Sequence, residues 1–156
     1  MAERKRFGKK VEKLWRRHFS PPLTETETIK RIEYARQVSQ ALGESEEWKS
    51  WITGVYLYGS TARGEARRSS DIDLAITTKQ EVFWGLDFGW TTGNLRKSIE
   101  AIKLQLGIDP NLKITPQIIS ESWLADPQKL PNNEGFIETI RSEWIPLYQR
   151  PEQFHP

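Results

Sequence analysis

Residues 55–76 read V-Y-L-Y-G-S-T-A-R-G-E-A-R-R-S-S-D-I-D-L-A-I, and the way this stretch divides decides the fold. Two apolar runs, Val55–Tyr58 and Ile72–Ile76, are rich in β-branched and aromatic residues and predict buried strands. Gly59-Ser60 closes the first run, and Ser60–Arg63 predicts a short helical turn. Gly64 suits the end of that turn, where a positive φ costs glycine little. A polar loop then leads back to Asp71 and Asp73. One residue separates these two acids, so on a strand their carboxylates share a face.

Two such carboxylates have Cα atoms roughly 6.5–7 Å apart, at a rise of about 3.3 Å per residue. Their oxygens can converge on one divalent ion or bridge two. Mg2+ takes one or two carboxylates together with phosphate oxygens and keeps several waters. Gly59 lets a triphosphate approach the backbone, and the N–H groups opening the Ser60 turn favour an anion. One side of the site thus suits phosphates, and the other suits the metal that bridges them.

These residues carry a family resemblance. The pattern G-S-x10-D-x-D with a flanking apolar strand resembles the DNA polymerase β-type nucleotidyltransferase superfamily, the small minimal nucleotidyltransferases in particular. Gly59, Ser60, Asp71 and Asp73 match position by position, with Ala62, Arg63, Gly64 and Ser70 as flanking matches. The resemblance implies an α/β (α+β) fold, a short mixed β-sheet with helices packed on one face. It implies transfer of a nucleoside monophosphate, AMP first among them, from a nucleoside triphosphate to a hydroxyl of a protein or RNA acceptor. Asp71 and Asp73 would be the catalytic metal ligands, with Mg2+ as cofactor. Gly59, Ser60, Arg63 and Ser70 would bind nucleotide, with ATP foremost. A toxin–antitoxin setting with a HEPN-type toxin partner also comes from the resemblance alone. A drug acceptor is expected less, because relatives that modify antibiotics carry a large C-terminal helical domain.

The resemblance breaks on the next strand. The superfamily places a third carboxylate there, and here Leu112–Ser120 reads L-K-I-T-P-Q-I-I-S. The position falls near Thr115 or Pro116, while Asp109 and Glu121 flank the strand and need a register shift or bend to reach the metals. Pro116 points to an edge or a bulge. An alternative follows: an impaired module of the same fold that binds a partner protein or nucleotide. Asp71 and Asp73 also have a plainer reading, pairing with Arg67 and Arg68 at a solvated loop mouth. Arg63 either contacts phosphate or pairs with Glu65 or an inward acid.

The remaining chain fits a single nucleotidyltransferase domain over 23–150. It follows a basic arm and Pro-Pro linker over 1–22 and precedes a tail over 151–156. The arm holds eight Lys/Arg against Glu3 and Glu12, a balance of +6. Since the chain as a whole carries +2, the rest carries −4. Phe7, Val11, Leu14, Trp15 and His18 at helical spacing make the arm a basic amphipathic helix. Such a helix suits RNA, an acidic partner or an acidic membrane surface, or docks on its own domain. There is no cysteine, which excludes disulfides and thiol chemistry, and His18 and His155 lie outside any zinc-ligand spacing. No apolar run reaches the ~20 residues of a membrane span, and no signal-peptide segment is seen, so a cytoplasmic protein is expected.

Elsewhere periodicity predicts helices at Thr24–Leu42, with Ile29 through Leu42 as its buried face and Gly43 as its stop, and at Gly93–Leu106. A third is expected from Glu134 to Ser142, capped by Asn132 or Asn133 and with Phe136 inward. A terminal strand is expected at Trp144–Tyr148. The aromatic stretch with Phe83, Trp84, Phe88 and Trp90 reads as core, with base stacking or a partner patch as alternatives.

Overall fold

The two motif strands form as expected and pair antiparallel at the centre of a four-stranded sheet of order β3-β2-β1-β4. The computed structural model describes residues 20–79, 86–130 and 135–151, together with Gly8 and Val11. Strand β1 is Ile52–Tyr58, β2 is Ile72–Thr78, β3 is Ile114–Ser120 and β4 is Ile145–Gln149. β2 pairs parallel with β3, and β1 pairs antiparallel with β4, so the sheet is mixed. Pro116 sits in β3, an outer strand, which fits its missing N–H.

Two long helices cover one face. α1, Glu25–Glu44, starts on a capping box in which Thr24 accepts from the Glu27 nitrogen and Glu27 accepts from that of Thr24. Ala35, Val38 and Leu42 are fully buried against Val55, Leu57, Leu74 and Ile76. Ile29, expected on this face, is 61% exposed. Gly43 does not stop the helix. It lies inside it, where a Cβ would collide with the Tyr148 ring, and the Tyr148 hydroxyl donates to the Gly43 carbonyl. Ser45 is the C-cap instead.

The second long helix, α3, spans Leu86–Leu106, seven residues longer at its start than periodicity predicts. Leu95 and Ile99 are buried, Leu106 is exposed, and Gly107 ends the helix at a φ of 67°. Trp90 is 74% exposed, against the expectation of core; Phe83, Trp84 and the Phe88 side chain lie outside the described residues. So do His18, His155 and the arm's other apolar positions, Val11 apart.

The opposite face holds a smaller cluster that the one-sided expectation did not include. Ala75 and Ile119 pack there with Trp123 of α4 (Glu121–Ala125) and Ile137 and Ile140 of α5 (Phe136–Glu143). α5 begins two residues later than expected, on Gly135 at φ 77°, and Phe136 stays exposed rather than inward. Asn132 and Asn133 lie outside the described residues. The small cluster covers only part of this face, which leaves the end of the sheet carrying Asp71 and Asp73 open to a cleft.

Candidate active site

The turn between β1 and β2 is helical, α2 at Gly59–Arg63, and closes on Gly64 in the left-handed region at φ 73°. Gly59 itself has φ 77°, and a Cβ there would strike the Asp73 carboxylate. Tyr58 and Asp73 are register partners, so the turn folds directly over the acid. Glycine at 59 is required twice, by conformation and by space.

The two acids differ in how they are held. Asp73 lies within β2, whereas the strand starts at Ile72 and leaves Asp71 just outside it. The Thr115 hydroxyl donates to Asp71 Oδ2 at 3.3 Å. Thr115 is the register partner of Asp73, so the position expected of a third acid carries a hydroxyl. Burial, then the neighbouring Asp71, push the Asp73 carboxyl up to about 6. Burial, then Asp73 and Glu143, raise Tyr58 to about 12.

Asp71, Asp73, Ser60 and Ser70 line one cleft with Arg31, Arg67, Arg68, Lys113, Asn111 and Asp109. The structure thus brings together four of the six expected site residues. Ser70 is tied into the loop, with its Oγ accepting from the Arg67 nitrogen at 2.9 Å. Arg63 is not among the cleft residues. Its guanidinium donates to Glu65 at 3.0 Å and to Glu143 at 2.8 Å. Glu143 also accepts from the Gly59 nitrogen at 3.1 Å, and chiefly its bond from Arg63 holds its carboxyl below the usual range. Asp109 reaches the cleft, where it accepts from the Asn111 nitrogen, while Glu121 opens α4 beyond the far end of β3. Among the described residues no three acids or histidines gather as a metal-binding group.

Arg68 turns to Glu27 at 3.7 Å, and Arg67 donates to the Ser20 carbonyl at 2.9 Å. Ser20–Leu23 is laid along the loop. The Ser69 nitrogen donates to Ser20 Oγ, the Arg68 nitrogen to the Pro21 carbonyl, and the Leu23 nitrogen to the Ala66 carbonyl. Sequence reasoning missed Arg31 and Glu143. Both reach the site from elements far along the chain, and no local pattern marks them.

Residues 35–134 match the family model of the nucleotidyltransferase domain. The chain belongs to that family. As a nucleotidyltransferase it is 43% identical over 114 residues to the spectinomycin 9-adenylyltransferase of Campylobacter jejuni, covering 72% of this chain and 41% of that relative. It therefore spans about two fifths of the length of the curated relative it matches. A crystal structure from Sulfolobus solfataricus, described provisionally as a nucleotidyltransferase, aligns over 79% of this chain and 84% of that one. At 16% identity and a TM-score of 0.45, that likeness is too weak to build on. Among the described residues no helix of this nucleotidyltransferase is long and apolar enough to cross a membrane.

Proposed function

We propose that this nucleotidyltransferase moves AMP from ATP to an acceptor hydroxyl, with Mg2+ as cofactor and pyrophosphate leaving. The observation that carries the reading is the Asp71–Asp73 pair at the mouth of a cleft otherwise rich in arginine and serine. AMP is supported by the likeness to an adenylyltransferase. The donor set fits a hard divalent cation: two carboxylate side chains, one of them raised in pKa by burial and by the other. Held by Asp71 and Asp73, such an ion would supply charge stabilisation at the transferring phosphoryl group.

The chain's own residues do the rest. Ser60, in the cleft lining, offers its backbone to phosphate, with Gly59 shaping the turn before it, and Arg31, Arg67, Arg68 and Lys113 offset the triphosphate charge. Thr115 keeps the Asp71 carboxylate in place through its hydroxyl. Arg63 reaches phosphate only by exchanging Glu143 for it. The acceptor oxygen bonds the α-phosphorus as the bond to the β-bridging oxygen breaks, and the acceptor proton passes to solvent.

For the acceptor we favour RNA, because the sequence carries eight Lys/Arg ahead of Ser20. Ser20 itself is bonded to Arg67 and Ser69, both of which line the cleft. A protein acceptor, including a toxin partner, and the impaired binding module are then outcomes of the test. The 43% identity favours a second reading, a small drug-like acceptor, because that relative is named for spectinomycin.

The experiment is label transfer from each α-labelled nucleoside triphosphate with Mg2+, RNA, lysate or spectinomycin, beside Asp71→Asn/Asp73→Asn. Label from ATP on nuclease-sensitive material, lost in the variant and falling steeply with salt, is the expected result. Label on spectinomycin or on protease-sensitive material moves the acceptor. No label anywhere, from protein that still binds ATP, leaves the binding module and makes Thr115 its explanation.

A further inference from the structure

Asp71 and Asp73 pose different positioning problems. Asp73 is fixed by the β2 ladder on both sides, whereas Asp71 precedes the first paired residue, Ile72. A carboxylate outside the ladder needs something else to set its direction. Thr115 holds the carboxylate itself, and Arg31 holds the main chain behind it. Arg31 Nη1 donates to the Ser70 carbonyl at 2.7 Å, and Nη2 donates to the Arg68 carbonyl at 2.9 Å. The Ser70 carbonyl belongs to the peptide that ends on the Asp71 nitrogen. With the next peptide held by the Ile72 N–H on the Lys113 carbonyl, fixing that plane fixes the direction in which the Asp71 side chain leaves the backbone.

The guanidinium is a rigid planar fork, so two carbonyls bound to it are held relative to one another as well as to α1. An ammonium on a flexible stem carries the same charge without that constraint. Burial lowers the Arg31 pKa, and Glu27 and then Asp71 act against this, so Arg31 also faces Asp71 as a countercharge.

We propose that Arg31 is a positioning residue for Asp71 and thereby sets the divalent-cation affinity of the Asp71–Asp73 pair. This rests on the reading of those acids as metal ligands. The test uses the full chain with Arg31→Lys, Arg31→Gln and, as a control, Glu27→Gln, which loosens the same loop through Arg68 and leaves the Arg31 fork in place. Mn2+ binding is read by water-proton relaxation without nucleotide, and folding by thermal melting.

Both Arg31 variants are expected to bind Mn2+ about tenfold more weakly, Lys no better than Gln, while Glu27→Gln melts lower and keeps its Mn2+ affinity. Wild-type affinity in Arg31→Lys would reduce the effect to charge and overturn the proposal. Equal loss in Glu27→Gln would overturn it as general loosening, and unchanged affinity in Arg31→Gln would overturn it outright. In each of these cases the wild type still binds Mn2+. A folded wild type that binds none would remove the metal-site reading and this proposal together.

Discussion

Replacing Asp73 by Asn should make the metal-free protein more stable, although it removes a proposed catalytic group. Asp73 is raised from 3.8 to about 6 by burial and by Asp71. The folded state therefore binds the proton more tightly than the unfolded chain. Wild-type stability falls as pH rises from about 4 to about 6 and stays lowered above that, by the linkage between proton binding and folding. A shift of about two units corresponds to a ceiling of about 3 kcal/mol. Because the cleft admits water, about 1–2 kcal/mol is the realistic cost of the ionised group. For a chain of this size that is a rise in melting temperature of about 3–6 °C for Asp73→Asn. The assay is thermal melting in EDTA at pH 4 and pH 7.5. The gain should be present at pH 7.5 and shrink to a small fraction of that at pH 4, where the folded Asp73 carboxyl is protonated. Equal melting temperatures at pH 7.5, or a gain of the same size at pH 4, would refute the argument.

Three further substitutions test the geometry. Gly59→Ala forces an L residue to a φ of 77° and drives its Cβ onto Asp73. The conformation alone costs about 1–2 kcal/mol, and chemical denaturation should show a larger total. Thr115→Asp puts a third carboxylate beside Asp71, where the hydroxyl now donates at 3.3 Å. Its melting temperature should fall in EDTA and recover with millimolar Mg2+ more fully than that of wild type. Gly43→Ala overpacks the Tyr148 ring and should destabilise by about 1–3 kcal/mol, read by urea melts.

What the sequence made legible is what depends on neighbouring residues. The two motif strands, the turn closing on Gly64 and the shared face of the acids are local consequences of β-branched runs, glycine φ and strand alternation. What stayed hidden depends on distant parts of the chain. Glu143 reaches Gly59 across 84 residues and Arg31 reaches Ser70 across 39, and neither distance leaves a trace in spacing. Gly43 was misread for the same reason. Its lack of a side chain serves the Tyr148 ring rather than a helix end, and only the packed sheet reveals it. Ile29 follows the helical period and yet stays exposed, because apolar periodicity marks a face without saying how far the opposing layer extends.

Both outer strands of the sheet contain a proline, Pro116 in β3 and Pro146 in β4. An approaching strand from another molecule meets, on either side, an edge with a missing donor. Sheet-to-sheet joining, the common route from a small mixed sheet to fibres or strand-swapped pairs, is disfavoured at both ends. In concentrated solution and during refolding this sheet should therefore stay four strands wide.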